Sequence, residues 1–223
     1  MEKTELTRHT LVFLTARGKE NLKAEFNTMY CGEEADRLHD VFDDAADVPG
    51  IVRRAEPRAD HIAVGFVPWR RLSNGNRLRI AAYIPITAIQ GVTSVYVLAR
   101  NGFPIRSRCM EAAMKVSSLA MHFELQAGFL GSAGLEIATG LPYTDDISDL
   151  DILLKPAPYD RLVAFYCQAR DICPGIDMDF EVEFPNGYGV KLAELCMDTC
   201  TVLGKSLKNV KLLDKKSMMV FLQ

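Results

Sequence analysis

The sequence lacks several features that define common protein classes. No apolar run among its 223 residues is long enough to span a bilayer. No apolar stretch follows a basic start at the N-terminus, so we expect no secretory signal and a cytoplasmic protein. The formal net charge is only −3, which gives no global electrostatic reason to bind nucleic acid. What remains is an ordinary globular composition, with 48% hydrophobic and 25% charged residues.

Metal-binding cysteine patterns are missing as well. The chain has six cysteines, and no two of them form a CxxC pair. Cys196 and Cys200 lie one helical turn apart, but no second pair has the spacing of a zinc site. We therefore interpret these two as small buried side chains on one helix face, and the cysteines in general as reduced thiols.

The first hundred residues predict a mostly β lobe. Residues 8–15 are typical of a short buried strand, and residues 16–48 of a helix with surface loops. Residues 50–98 contain β-rich pieces separated by turn residues, and Asn74-Gly75 between two of these pieces signals a hairpin. The aspartates of the earlier stretch predict a solvated acidic face: Asp40, Asp43, Asp44 and Asp47.

A second lobe is expected after Asn101-Gly102 and Pro104, which mark a boundary. We therefore divide the chain into a recognition lobe, 1–104, and a catalytic domain, 105–223. Helical spacing and strand texture there predict the following elements: helices over 109–126, 133–139 and 159–172, and strands over 129–130, 147–155 and 178–184. The fold class is accordingly α/β (α+β), with a mixed sheet flanked by helices in the catalytic domain.

Two motifs of the second lobe carry the chemistry. Gly131-Ser132 ends one short strand, and Asp149-Leu150-Asp151 lies on the next. Side chains two residues apart on a strand share a face, so Asp149 and Asp151 present parallel carboxylates that repel each other unless a cation intervenes. Mg²⁺ suits this pair because it takes oxygen ligands and leaves room for substrate phosphates. Gly131 lets a phosphate approach the backbone, and Ser132 with the following helix N–H groups can bind it.

A third carboxylate is expected on a neighbouring strand, to complete the metal site or to act as a base. Asp179, Glu181 and Glu183 alternate along the strand predicted over 178–184 and therefore share one face. Glu183 stands beside the Pro185 turn, and we interpret it as a solvated side chain. Asp179 and Glu181 are both candidates, and the sequence does not choose between them.

These residues resemble the signature of the nucleotidyltransferase superfamily, a Gly-Ser and a spacer followed by [DE]-h-[DE], with a longer spacer here. A closer resemblance spans nearly the whole chain and is sharpest over residues 131–151. The segment GSAGLEIATGLPYTDDISDLDILL is similar to the MdcG family, the phosphoribosyl-dephospho-CoA transferases of malonate decarboxylase systems. That family shows a Gly-Ser, a Leu-Thr-Gly-Leu-Pro-Tyr-like stretch and a Ser-Asp-Leu-Asp. Further similarity lies at Arg8-His9, Arg53-Arg54, Ala63-Val64-Gly65, Asp179 with Glu181, and Val202-Leu203-Gly204-Lys205.

The resemblance implies an enzyme that uses 2'-(5''-triphosphoribosyl)-3'-dephospho-CoA as donor. It would join the phosphoribosyl-dephospho-CoA group to a serine of the acyl carrier protein subunit of malonate decarboxylase and release pyrophosphate. Mg²⁺ on Asp149 and Asp151 would neutralise the triphosphate. Asp179 or Glu181 would orient or deprotonate the serine. Lys205 would add a positive charge near the leaving phosphates, although a solvated lysine explains it equally well.

Two other functions stay open at this point. A nucleotidyltransferase that adenylylates a small molecule or another protein would keep the same site residues and use ATP as donor. A non-catalytic relative that binds a nucleotide or a partner would usually have lost the catalytic residues, whereas this chain keeps Gly131, Ser132, Asp149 and Asp151. The oligomeric state and the docking surface for the carrier are not readable from the sequence.

Overall fold

The computed structural model describes residues 6–43, 47–99 and 102–223. Its contacts divide the chain into two compact units, described here one at a time. The first comprises the described residues of Met1–Ser94 together with Thr139–Tyr143, and the second comprises those of Val95–Ala138 and Thr144–Gln223. The mixed α and β class that the sequence predicted is confirmed, while the boundary at residue 104 stays a prediction.

The first unit contains a five-stranded antiparallel sheet. Its strands are β1 (Leu11–Leu14), β2 (Gly50–Val52), β3 (His61–Phe66), β4 (Ile80–Pro85) and β5 (Ile89–Thr93), in the order β4-β3-β2-β1-β5. Its helices are α1 (Ala16–Asn27), which Thr15 caps by accepting from the Gly18 N–H, and α2 (Glu33–Phe42). The aromatic rings of Phe26, Phe42 and Phe66 meet in its core, because α1 and α2 present their apolar faces to the sheet.

The hairpin signalled by Asn74-Gly75 exists, but its connection is long. β3 and β4 pair antiparallel from His61 with Pro85 to Phe66 with Ile80, so residues 67–79 join them. The predicted turn lies inside this connection, where the Asn74 side chain accepts from the Asn76 N–H at 2.9 Å. The Asn-Gly pair therefore marks a local turn in the loop rather than a tight strand-to-strand turn.

The predicted solvated acidic face is wrong for Asp40, which is buried and ion-paired with Arg70. The Arg70 Nε donates to Asp40 Oδ1 at 2.8 Å. Lysines of α1 meet two of the other aspartates: Lys23 pairs with Asp43, and the Lys19 Nζ lies 3.0 Å from Asp47 Oδ1. Packing of α1 beside α2 neutralises these acids, which one-dimensional spacing could not reveal. Asp44 lies outside the described residues.

The second unit contains a six-stranded mixed sheet. Its strands are β6 (Ala127–Phe129), β7 (Leu150–Leu154), β8 (Met178–Glu183), β9 (Gly189–Lys191), β10 (Thr201–Lys205) and β11 (Val210–Asp214), in the order β11-β10-β9-β8-β7-β6. β7 and β8 are parallel, and the other pairs are antiparallel. The helices are α3 (Val95–Leu98), α4 (Arg108–His122), α5 (Gly131–Thr139), α6 (Tyr159–Ile172), α7 (Leu192–Cys196) and α8 (Lys215–Met219).

One face of this sheet is covered by α6, and β8 shows why. Phe180 and Val182 are buried, and the Phe180 ring lies 5.9 Å from that of Phe165 and 5.2 Å from that of Tyr166, both on α6. Because strand side chains alternate, Asp179 and the acids after it belong to the opposite face. That opposite face holds the candidate site.

This unit corrects one smaller sequence prediction. Cys196 and Cys200 are both exposed, contrary to the buried pair we expected, because α7 ends at Cys196 and the helix face that was to hold both does not form. No helix within the described ranges is both long and apolar enough to cross a membrane.

Candidate active site

A sharp turn between β6 and α5 forms the first part of the site. The Leu130 N–H donates to the Asp151 carbonyl at 2.9 Å, which ties the end of β6 to β7. Gly131 then takes a φ of +56°, and a Cβ there would lie 2.8 Å from Asp151 Oδ2. A Cβ at Gly134 would lie 2.3 Å from the Phe129 carbonyl oxygen. Both glycines are thus required, and they start α5 directly beside the Asp151 carboxylate.

The start of α5 is the natural place for an anion. Ser132 is partly exposed in its first turn, and the first backbone N–H groups of a helix have no partner within the helix. These groups and the positive end of the helix dipole attract phosphate oxygens. Gly131 and Ser132 lie at this helix start, and their phosphate-binding role stays a prediction.

Asp149 and Asp151 are held on either side of Leu150. β7 begins at Leu150, later than predicted, because Asp145 folds the preceding residues into a turn: its Oδ1 accepts from the Ser148 hydroxyl at 2.8 Å. Asp149 is consequently exposed, and its carboxylate forms no hydrogen bond or ion pair with any residue that the structure describes. Asp151 is half-buried, while Leu150 turns into the core.

Register decides which acid of β8 stands beside Asp151. β7 and β8 run parallel, and Asp151 pairs with Asp179, while Glu181 pairs with Leu153. Neighbouring strands lie about 4.8 Å apart, and two residues along a strand add about 6.6 Å. Asp179 is therefore the carboxylate adjacent to Asp151, and Glu181 is the next one along the same face.

Lys191 belongs to this cluster, and the sequence reasoning missed it. Its Nζ lies 2.6 Å from Asp179 Oδ2, and it stands opposite Glu181 on β9. The hydrogen bond to Asp179 raises the pKa of Lys191, which keeps it charged. The sequence contained a signal for Lys191. In the hairpin predicted at Pro185-Asn186-Gly187, counting residues outward from the turn along both strands puts Lys191 opposite Glu181.

Glu183 is not the solvated side chain that we predicted. Its carboxylate accepts from the Lys155 Nζ at 2.6 Å and from the Tyr96 hydroxyl at 3.0 Å, and only 12% of the side chain is exposed. Burial, together with the Glu183 charge, raises the pKa of Tyr96. The expectation failed because α3 brings Tyr96 onto this face and Lys155 follows β7 beside Glu183.

A buried network holds the segment that leads into Asp149. Glu136 of α5 is fully buried, and its Oε2 accepts from the Thr144 N–H at 2.7 Å and from the Thr144 hydroxyl at 2.8 Å. The same hydroxyl lies 2.6 Å from Ser107 Oγ, which caps α4. The Glu136 Oε1 lacks a hydrogen-bond partner in the described part of the chain, with the Arg106 Nη1 at 3.9 Å.

Cys109 is the second anchor of that segment. Its thiol donates to the Asp149 carbonyl at 3.2 Å. Burial, with the neighbouring Asp149 charge, raises the pKa of Cys109 to about 12, so the thiol stays neutral and keeps its proton. Glu136 and Cys109 thus fix the backbone on which Asp149 stands, although neither was singled out from the sequence.

Lys205 stands away from this cluster. It pairs with Gly189 of β9, which pairs in turn with Glu183, so two strand spacings separate it from β8. Glu183 also lies four residues after Asp179 along β8. The Cα atoms of Lys205 and Asp179 are therefore about 16 Å apart. The phosphate role of Lys205 stays a prediction, whereas Lys191 occupies the position next to the aspartates.

The site fits a magnesium ion shared with a substrate. No set of three His, Cys, Asp or Glu side chains within residues 6–43, 47–99 and 102–223 is arranged to enclose a metal. Mg²⁺ does not need such a set, because it usually takes one or two carboxylates and completes its shell with water and phosphate oxygens. The exposed Asp149 and the Asp151 carboxylate beside the α5 N-terminus meet that requirement.

A glycine turn into a helix, an Asp-x-Asp at the adjacent strand and a third carboxylate in register have the arrangement of a nucleotidyltransferase site. Family comparison identifies the particular group. The N-terminal domain model of phosphoribosyl-dephospho-CoA transferase MdcG matches residues 7–94, and its C-terminal domain model matches residues 99–216. The chain belongs to this family, which confirms the resemblance noted in the sequence.

Individual relatives agree with the family match. A phosphoribosyl-dephospho-CoA transferase of Azotobacter vinelandii is 31% identical over 169 residues, and one of Pseudomonas putida is 30% identical over 171 residues. Each alignment covers 73% of this chain and 76% of the relative. A third, from Pseudomonas aeruginosa, is 31% identical over 162 residues, with 70% and 73% covered. No solved structure gives a significant match.

Proposed function

We propose that this chain transfers the phosphoribosyl-dephospho-CoA group from 2'-(5''-triphosphoribosyl)-3'-dephospho-CoA to a serine of the malonate decarboxylase acyl carrier protein. The observation that carries this proposal is the pairing of Asp151 with Asp179 beside the Gly131 turn, in a chain of the phosphoribosyl-dephospho-CoA transferase family. We place the reaction in the cytoplasm, where the six free thiols stay reduced.

The donor's triphosphate would bind at the start of α5. Backbone N–H groups of the first turn and the Ser132 hydroxyl donate to its oxygens, and Gly131 leaves space for them. Asp149 and Asp151 would hold Mg²⁺, which neutralises the triphosphate and the leaving pyrophosphate when it is bound. Glu136 and Cys109 keep Asp149 in place while the donor enters.

The acceptor serine would approach from the β8 side. Its oxygen forms a bond to the α-phosphorus of the donor, the bond between the α- and β-phosphates breaks, and pyrophosphate leaves. Asp179 orients the hydroxyl and takes its proton, because its register places it beside Asp151 and Glu181 lies one pleat further away. Lys191 holds the Asp179 carboxylate and offers a positive charge to the departing pyrophosphate.

Intact-mass spectrometry of the apo carrier subunit tests this function. The carrier is incubated with the protein, Mg²⁺ and the triphosphoribosyl-dephospho-CoA donor, and in parallel with ATP as the only donor. We expect a mass gain of one phosphoribosyl-dephospho-CoA unit with the first donor and none with ATP. An AMP adduct on any acceptor, with no gain from the first donor, would instead identify an adenylyltransferase.

Two matched variants test the role assigned to Asp179. Asp179→Asn removes the carboxylate next to Asp151, and Glu181→Gln makes the equivalent change one pleat along the same strand. General-base catalysis contributes about 10²–10⁴-fold to rates, so Asp179→Asn should lower the transfer rate by that order. Glu181→Gln should retain most of the activity. The reverse order would assign the role to Glu181.

A further inference from the structure

A buried carboxylate of α5 has one oxygen without a hydrogen bond. Glu136 is fully buried, and its Oε2 accepts from the N–H and the hydroxyl of Thr144. Its Oε1 has no hydrogen-bond partner among the described residues. Buried polar atoms are nearly always paired, because an unpaired one has lost its bonds to water without replacement. The charged group beside this oxygen is the guanidinium of Arg106.

Arg106 stands next to Glu136 with its hydrogen-bond donors unused. Its Nη1 lies 3.9 Å from Glu136 Oε1, which is close enough for charge attraction but too far for a hydrogen bond. A guanidinium has five N–H donors, and none of those on Arg106 reaches an acceptor in the part of the chain that the structure describes. The side chain is 47% exposed, so a ligand can reach these donors from solvent.

The backbone beside Arg106 is fixed, although its guanidinium is not. The next residue, Ser107, caps α4 by accepting from the Met110 N–H at 3.2 Å, and its Oγ lies 2.6 Å from the Thr144 hydroxyl oxygen. Thr144 is bound in turn to Glu136 of α5. The point from which the Arg106 side chain extends is therefore tied to α5, and only the side chain has to move to meet a ligand.

Helix α5 places this arginine near its own phosphate-binding end. Ser132 and Glu136 are four residues apart, so they share one face of the helix, with about 5–6 Å between their Cβ atoms. Helical side chains lean toward the N-terminus, which brings the Glu136 carboxylate back toward the turn at Gly131. The carboxylate, with Arg106 beside it, therefore lies about one helical turn from the N–H groups at which the donor's triphosphate would bind.

The charge of the site calls for a further cation when the donor is bound. The site already carries several carboxylates, among them Asp151 and Asp179, and the charge of Lys191 is engaged by Asp179. A triphosphate adds more negative charge, which Mg²⁺ would offset only in part. Arginine suits the remainder, because its planar fork binds phosphate oxygens in pairs and stays charged.

We infer that Arg106 binds the triphosphate of the donor, with one edge of its guanidinium on the phosphate oxygens and the other toward Glu136. The inference rests on the proposed function for the identity of the donor. Glu136 acts as the positioning residue, since its Oε1 holds Arg106 near the helix start by charge and leaves the N–H donors of Arg106 for the ligand. The same contact explains why a buried carboxylate oxygen is left without a hydrogen bond.

Binding of inorganic triphosphate tests the inference. Titration calorimetry with Mg²⁺ and without carrier gives the triphosphate Kd of Arg106→Met, which removes the charge and keeps an apolar chain. The matched control is Arg161→Met on α6, which covers the opposite face of the sheet. Arg161 is 39% exposed and is likewise paired with a carboxylate, that of Glu124, at 3.3 Å. We expect Arg106→Met to raise the Kd by about tenfold or more, and the control to bind as the wild type does.

Initial rates and a second variant give independent readings. Arg106→Met should raise the donor KM by a similar factor and leave the carrier KM unchanged, because Arg106 contacts the donor. Arg106→Lys keeps a charge for Glu136 but loses the paired hydrogen bonds, so it should fold as the wild type does and recover only part of the affinity. Wild-type triphosphate affinity in every Arg106 variant that folds would overturn the inference. A lower melting temperature with unchanged affinity would also overturn it, since Arg106 would then only stabilise Glu136.

The inference and the proposed function fail in different ways. A protein that binds inorganic triphosphate through Arg106 but transfers nothing from the phosphoribosyl donor would refute the proposed function and support the inference. Transfer to the carrier, with the same donor KM in Arg106→Met and Arg161→Met, would support the proposed function and overturn the inference.

Discussion

The carboxylates of the two units have opposite settings. In the first unit, Asp40, Asp43 and Asp47 each meet a fixed arginine or lysine, and their negative charge is neutralised within the fold. In the second unit, Asp149 meets no cation of the described residues, and Asp151 and Asp179 stand in register on adjacent strands. An acid paired by the chain stabilises the fold, whereas an acid such as Asp149, which meets no cation of the described residues, can take one from a bound ligand.

The largest expected effect comes from removing a site carboxylate. Asp151→Asn should lower the transfer rate by about 10³-fold or more, because a metal ion at this position contributes several kcal/mol to the transition state. The melting temperature should stay the same or rise, since the substitution relieves repulsion with Asp179. Mass spectrometry of the carrier and a thermal melt measure the two quantities. A large fall in melting temperature would place Asp151 with the structural acids of the first unit.

Lys191 also tests this comparison, because it is a cation that lies among the acids of the candidate site. Lys191→Met should lower the transfer rate by about 10²-fold, since an oriented positive charge on the leaving group is lost. Stability should change little, because the pair with Asp179 is half-exposed. Steady-state rates of the variant are compared with those of Lys115→Met on α4, whose pairing with Glu111 is a surface ion pair. Equal rates in the two variants would contradict the role of Lys191.

Asp40 provides the opposite test in the first unit. Asp40→Ala should lower the free energy of unfolding by about 2 kcal/mol, because a buried carboxylate loses its hydrogen bonds to Arg70. The transfer rate at saturating substrates should be unchanged. Urea unfolding and steady-state kinetics check the two expectations. Loss of activity in a folded variant would show that this acid does more than stabilise the fold.

Glu136 is buried, as Asp40 is, but it lies in the second unit and holds the segment before Asp149. Glu136→Ala should lower the transfer rate by about tenfold and raise the Mg²⁺ concentration needed for half-maximal rate, because the segment before Asp149 loses its hold on Thr144. Glu136→Gln keeps an oxygen for Thr144 and should restore the magnesium dependence. A Gln variant as impaired as the Ala variant would mean that the charge, rather than the hydrogen bonds, matters.

The smallest effect concerns pH and Asp43. Its hydrogen bond with Lys23 lowers the pKa of Asp43 below its ordinary 3.8. The pair therefore stabilises the fold above that ordinary value, and the contribution disappears as pH falls through the lowered pKa. Unfolding free energies from pH 5 to pH 2 should fall by under about 1 kcal/mol more in the wild type than in Asp43→Asn. Parallel curves would leave the pair without a measurable effect.

Periodicity and short motifs predicted the elements that are determined by residues close together in the sequence. Helix α6 begins and ends where the apolar spacing placed it, and the alternation of β8 put Asp179 and Glu181 on the face opposite Phe180. The Gly131-Ser132 turn and the acids beyond it were also found, because their chemistry requires adjacent residues of a few types. The family match then confirmed what this arrangement resembled.

Contacts between distant residues could not be predicted in that way. Asp40 with Arg70 and Glu183 with Lys155 are pairs separated by about thirty positions, and both acids were wrongly taken as solvated. Choosing Asp179 over Glu181 required the register of two parallel strands, which no periodicity contains. Lys191, Glu136 and Cys109 were missed for the same reason, since each acts across strands or helices that only the fold brings together.

The spacer between Gly131-Ser132 and Asp149-Leu150-Asp151 takes part in the fold of the first unit. Five of its residues, Thr139–Tyr143, are counted with the first unit. There the buried Tyr143 donates its hydroxyl to the Val67 carbonyl at 2.8 Å, and Arg77 donates to the Tyr143 carbonyl. A fragment that starts at residue 105 would carry Tyr143 without either partner. We therefore expect the two units to fold poorly as separate fragments, because the polypeptide returns to the first unit between Gly131 and Asp149.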